Sequence, residues 1–405
     1  MKRWMLPLAG ALTISLLASA RPPGPSSAES PGLPRWGTGS LMVVVEREAG
    51  CVLVFDASRH ELLGRVEGLG NLTHGTVKFS KDGRYAYVLG REALVSKIDL
   101  YTLQVVRQAK AGAWSIGGAM TADGRHLALS NYAPGEVRFL AADTLETVKV
   151  IPAERELPDG TVKRSRVAGL VDAPGNLVVF GLMDADGVWV VDAGKPDFPV
   201  VRKYWDLGVE PYDALITPEG RYYLVGFLRS NWMGLLDLWR PEAMRRILAP
   251  QGRGSEEVPL WKVPHLKGWA LAGDLAFLPA LKREVALVYR TRDWTERAAV
   301  PLNGTALYTV VRPDRRQVWV DLVGKNGDLI DVIDVESLRV VRTLNPGPGA
   351  THPQFTPKGE AAYVSLMDGG KVVVYDTATL EVIREFPAQR PSGIFSSDRA
   401  HKFGM

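Results

Sequence analysis

Chemistry in this chain would have to come from imidazole and guanidinium groups. The 405 residues include six histidines, one cysteine and a surplus of basic over acidic side chains. Three histidines, His74, His265 and His352, each precede or sit within a short polar segment that leads into an apolar run. Arg91, Arg166, Trp114-Ser115, Tyr132 and Trp269 occupy comparable segments. An imidazole can ligate iron, and an arginine can grip a carboxylate with two parallel N–H bonds. The same types have a plainer use, because a histidine at the entry to a strand often bonds neighbouring backbone and entry loops are polar anyway. His60, His126 and His401 read as surface or strand-edge residues.

Other chemistries are not supported. Cys51 alone cannot make an internal disulfide, a zinc cluster or a two-cysteine haem attachment, and between Gly50 and Val52 it reads as a buried strand thiol. No zinc-protease helix or paired carboxylates on a recognisable scaffold are present, and Gly68-Leu69-Gly70 does not open a helix as a dinucleotide fingerprint would. No residue identifies itself as a catalytic base.

The stretch THGTVKFSKDGRYAYVLGREALVSKIDL, residues 73–100, shows how the candidate residues are positioned. Three alternating apolar runs separated by turns make an antiparallel meander. In an up-down-up path, His74 before the first run and Arg91 after the second fall at the same end of the sheet. Related strand-turn-strand units recur, anchored at Asp56, Asp99, Asp143, Asp192, Asp237, Arg290, Asp334 and Asp376. Their spacing of roughly 42 to 53 residues is the period of four-stranded propeller blades. The expected fold is therefore all-β, an eight-bladed β-propeller. The first blade lacks an opening strand and PSGIFSS (391–397) is a strand without a blade, so the C-terminal strand should complete the first blade and remove two open edges. Arg155-Pro158 and Gln251-Pro264 are the longest connections.

Mapping every blade this way puts His74, Trp114-Ser115, Arg166, Tyr212-Asp213, His265, Trp269 and Thr351-His352 in loops entering innermost strands. Arg91, Asn131-Tyr132, Asp184, Arg229-Asn231 and Asp368 fall in loops after second strands. Both sets open on one mouth of the channel. A flat iron tetrapyrrole needs an imidazole for the metal, arginines for its carboxylates and aromatic walls, and this rim carries all three.

Lys2-Arg3, the apolar stretch Trp4–Ala18 and the Ala18-Ser19-Ala20 end make a secretory signal over residues 1–20, with no cysteine there for a lipid anchor. Residues 21–40 read as a flexible lead-in and 41–405 as the propeller. The mature chain is expected in the periplasm, without a membrane span. Removing Lys2 and Arg3 leaves 47 basic against 45 acidic residues, a surplus of +2. That surplus, with no basic run interleaved with aromatics, gives no case for nucleic acid.

The segment HGTVKFSKDGRYAYVLGREALVSKIDL resembles the start of the haem d1 propeller of dihaem nitrite reductase and its relatives. The segment VPHLKGWALAGDLAFLPA (263–280), the RPDRRQVWV turn and the ending PSGIF with RAHKFG resemble the haem d1 biosynthesis branch of that family. The resemblance spans nearly all of the mature chain. It implies that His74 ligates haem iron and that Arg91, Ser115, Tyr132, Arg166, His265 and His352 surround haem d1 or dihydro-haem d1. It further implies late maturation of that cofactor, with dehydrogenation of a propionate to an acrylate as one reading. A non-catalytic carrier serving nitrite reductase and other maturation proteins is a second, and a protein-binding propeller a third. Departures matter: Trp114 stands where the reductase has arginine, and Arg312 is expected to replace one of its two distal histidines. Only His352 lies near the other, so nitrite reduction is not expected.

Overall fold

Continuous apolar runs such as LMVVV at 41–45 call for a structure in which both faces of the inner strands are covered. In the computed structural model, which describes residues 36–230, 232–248, 270–280 and 283–405, eight four-stranded antiparallel sheets form the eight blades of a β-propeller. The strand Leu41–Glu46 is buried throughout, and successive side chains leave it on opposite faces. Leu41, Val43 and Val45 pack with Val77, Phe79 and Val88 of blade 2. Met42 and Val44 pack with Tyr363, Val372 and Val374 of blade 8. Eight such apolar clusters each join two consecutive blades, and the last joins blade 8 to blade 1, so the ring closes through its core. Each fully buried Val, Leu or Phe adds about 1.5–3 kcal/mol to such an interface.

The innermost strands, from blade 1 to blade 8, are Pro391–Ser396, Thr76–Phe79, Trp114–Met120, Val167–Ala173, Pro211–Ile216, Leu271–Ala272, Thr305–Val311 and Ala350–Phe355. Closure follows the sequence expectation: Pro391–Ser396 pairs antiparallel with Leu41–Glu46, with Val43 opposite Phe395 and Val44 opposite Ile394. Ser397 fixes the join, its Oγ accepting from Leu41 N at 2.9 Å and donating to the Thr38 carbonyl at 2.5 Å. Trp36 also packs on the blade 1–2 cluster and donates from Nε1 to the Leu100 carbonyl at 3.1 Å. Residues 36–40 of the expected lead-in thus lie against the propeller.

Innermost strands run from what we call the upper mouth to the lower. Turns after them cross to the second strand at the lower mouth, as in Ser80–Arg84, where Ser80 donates to Asp82 at 2.5 Å and Gly83 takes φ +71°. Between blades 3 and 4 the connection at Arg155–Pro158 forms part of a small hairpin, Glu154–Glu156 against Val162–Arg164. Arg155 holds it to blade 4 through two bonds to Asp206, at 2.7 and 2.6 Å. His265, Trp269 and the connection Gln251–Pro264 lie outside the described residues.

Candidate functional site

The upper mouth is built first by the loop entering blade 2. Asn71 folds it into a tight turn, its Oδ1 accepting from Thr73 N at 2.9 Å and from Thr73 Oγ1 at 2.6 Å. Such Asx turns are local and need no tertiary support. The turn exposes the next residue, His74. The Asn71 carbonyl accepts from Arg91 N at 2.8 Å, which ties the histidine loop to the arginine corner. His74 and Arg91 therefore stand at the same end of blade 2.

Arg91 is held by aromatic faces. Its guanidinium carbon is 4.7 Å from the Trp114 ring centroid and 5.4 Å from that of Tyr132, and Nη1 reaches the Ser115 carbonyl at 3.4 Å. Among the described residues no carboxylate forms an ion pair with it. Burial pulls Arg91 below the usual guanidinium range, while Tyr132 and Tyr212 act in the opposite sense. Such a group gains from the arrival of an anion, because the low-dielectric surroundings strengthen a new charge pair. Trp114, half exposed, walls the site on one side. Ser115 contributes its backbone only, since its Oγ turns inward and donates to the Ser130 carbonyl at 3.0 Å.

Arg166 differs although it shares the Tyr132 ring, at 5.5 Å. Its Nε and Nη2 grip Asp184 at 3.0 and 2.6 Å, and its backbone N donates to the same carboxylate at 2.8 Å. Burial pushes the Asp184 carboxyl up, yet the bonds and charge of Arg166 outweigh it and hold the carboxyl below its ordinary range. Tyr132 is pushed upward, by burial first and then by its contact with Tyr212.

Across the mouth, His352 takes φ +57° and is locked by Asp321, which accepts from His352 N at 2.8 Å, Thr351 Oγ1 at 3.0 Å and Tyr308 N at 2.7 Å. The His352 and Tyr308 rings lie 4.9 Å apart. Arg312, expected by resemblance in place of a distal histidine, is at the other end of the channel. It follows the strand Thr305–Val311 at the lower mouth and is forked onto Asp314. Tyr308 is the blade 7 side chain that meets His352.

Arg47 was not singled out by the sequence. It follows the second strand of blade 1, the station Arg91 occupies in blade 2, and periodicity alone could have placed it there. Its Nη2 donates to the Thr73 carbonyl at 2.7 Å and its Nη1 to Met367 Sδ at 3.4 Å. Burial and the nearby Arg390 charge both draw it below the usual range. Arg47 and Arg91 are thus partly buried guanidinium groups of the upper mouth that form no ion pair with a carboxylate among the described residues. Both are tied to the loop that presents His74.

A family model described as the Cytochrome D1 heme domain matches residues 36–400. Protein NirF of Pseudomonas aeruginosa is 44% identical over 373 residues, covering 92% of this chain and 95% of that protein. Dihydro-heme d1 dehydrogenase of the same organism is 32% identical over 371 residues, 88% of this chain and 71% of that protein. Among solved structures, that of dihydro-heme d1 dehydrogenase NirN in complex with DHE superposes with a TM-score of 0.77 at 28% identity, covering 93% of this chain and 79% of that one.

Proposed function

Because the chain belongs to the cytochrome D1 heme domain family, we propose that it binds haem d1 or its dihydro precursor at the upper mouth and acts late in haem d1 maturation. The observation that carries this reading is Arg91: a partly buried cation between two aromatic rings, without a carboxylate partner among the described residues, beside an exposed histidine. A macrocycle with several carboxylates and a ligand-accepting iron fits that donor set. His74 offers an imidazole to the metal. Arg91 and Arg47 offer their forks to carboxylates, and Trp114 and Tyr132 offer flat apolar surface. Arg166 and Asp184 brace the Tyr132 wall. The Lys2–Ala20 leader supports a periplasmic setting, where nitrite reductase and other maturation proteins are the expected partners.

A dehydrogenating role has one specific support, the 32% identity to dihydro-heme d1 dehydrogenase. In that reaction two C–H bonds of a propionate side chain break and a C=C bond forms. Two protons leave to water and two electrons pass to a redox-protein acceptor. Without an acceptor the same site serves as a carrier.

The test is an absorbance titration of the purified chain with haem d1. His74→Ala is expected to shift the spectrum of the bound macrocycle and weaken binding, because an iron ligand is lost. Unchanged spectrum and affinity would move ligation to His265 or His352. Conversion of dihydro-haem d1 with an added electron acceptor separates enzyme from carrier.

A further inference from the structure

At the lower mouth, on the face opposite His74 and Arg91, lies a cavity of about 570 Å³. Its walls are lower-mouth turns of blades 5 to 8, and its floor is the chain's own tail, residues 398–405. The tail is pinned across the channel by three blades. Lys78 Nζ donates to the terminal main-chain oxygen of Met405 at 2.6 Å, Gly404 N donates to Asp172 Oδ1 at 3.0 Å, and Arg399 bonds Gln354. The cavity is therefore built rather than left over, and its volume falls within the roughly 300–1,000 Å³ of small-molecule sites.

Its lining carries four cations, Arg312, Arg315, Arg399 and Lys402, and two acidic side chains, Glu219 and Asp398; Arg312 is forked onto Asp314 and Lys402 is bonded to Asp398, whereas Arg315 forms no ion pair among the described residues and Arg399 bonds the neutral Gln354 amide. Leu271, Val310, Phe355 and Met405, all buried, supply apolar surface. Arg399 is 4% exposed, and burial pulls its guanidinium down to about 10. In the corresponding turns of blades 2, 3, 5 and 8 the left-handed position belongs to Gly83, Gly124, Gly220 and Gly359, whereas blade 7 holds Arg315 there at φ +63°. Glycine takes that conformation more readily than arginine, so a glycine at position 315 suits the backbone.

We propose that this cavity is a second ligand site, for a small organic anion carrying two or more carboxylate or phosphate groups on an apolar frame. Arg315 and Arg399 select the charge and the buried apolar residues select the frame. Occupancy clamps the tail, because Arg399 belongs to it.

The test is calorimetric titration of the full chain at low salt with isophthalate, a rigid aromatic dicarboxylate, and with pyrophosphate, an anion without apolar surface. Isophthalate is expected to bind with a Kd near or below about 1 mM, and pyrophosphate more weakly. Arg315→Gly, which removes the charge and suits the backbone, is expected to weaken isophthalate about tenfold, the effect of losing one charge-assisted contact. Glu219→Gln is expected to tighten it, and Arg91→Gln to leave it unchanged. No binding of isophthalate at 5 mM (about five times the expected Kd) overturns the proposal. So does equal affinity in Arg315→Gly, and so does loss of binding in Arg91→Gln, which would assign the probe to the upper mouth.

Discussion

Replacing Arg91 by glutamine tests the binding reading most directly. The substitution removes a charge that has no carboxylate partner among the described residues, so it leaves no buried anion behind. What it forfeits in the free protein is a 3.4 Å bond to the Ser115 carbonyl and stacking on Trp114 and Tyr132. Stability by urea melting should therefore change by no more than about 1 kcal/mol. Ligand affinity should change much more. A hydrogen bond to a charged group contributes about 1.5–3 kcal/mol, which is about 10- to 150-fold in Kd. Arg91→Lys keeps the charge but loses the planar fork and part of the stacking, and should fall between wild type and Arg91→Gln. The assay is absorbance titration with haem d1 on the purified chain, beside the melts. An Arg91→Gln affinity within twofold of wild type would refute the assignment. So would a loss of binding that merely tracks a loss of folding.

Arg166→Met should behave in the opposite way, costing about 1–2 kcal/mol in urea at pH 7, since both partners are partly exposed and screened. The Asp184 carboxyl is held below its unfolded value. Its contribution is present above the ordinary carboxylate range and lost as pH falls through the depressed value, so wild type and variant should converge in acid; a gap that persists there argues against the pair. Phe395→Ala, at a closure-strand site 2% exposed, should cost about 3–5 kcal/mol, and a urea midpoint within error of wild type would mean that the closing strand does not hold the ring. Cys51 is pushed up to about 12, by burial first and then by its 2.8 Å bond to Glu46. Iodoacetamide at pH 8 should leave it unlabelled in the native chain and label it in urea; mass spectrometry showing rapid native labelling would contradict that.

The ring and its mouths were legible because a repeat carries direction as well as count. Once Asp56, Asp99 and their successors mark third strands, every loop acquires an end of the channel. That is why His74, Arg91, Tyr132, Arg166 and His352 fall on one mouth without knowledge of any contact. Two errors came from relaxing the same rule. The resemblance puts Arg312 in place of a distal histidine, although strand parity puts the end of Thr305–Val311 at the lower mouth. Arg47 was passed over because blade 1 begins with its second strand, so the turn that announces the corner in other blades is missing before it.

Side-chain commitment was not legible at all, and it decides the site. Arg91 and Arg166 are the same residue type, on the same mouth, against the same Tyr132 ring. Both belong to stations that the repeat assigns to ligand binding. Asp184 also belongs to that mouth, yet nothing in a spacing of eighteen residues says whether its carboxylate turns toward Arg166 or into the channel. The structure turns it onto Arg166, so a ligand carboxylate there must compete with a partner already in place. At Arg91 and Arg47 a ligand carboxylate would meet cations that form no ion pair among the described residues and that burial draws below the usual guanidinium range. If haem d1 is held by its carboxylates, affinity should follow those two arginines and be nearly indifferent to Arg166 except through the fold. That ordering separates a built site from a rim that is merely polar.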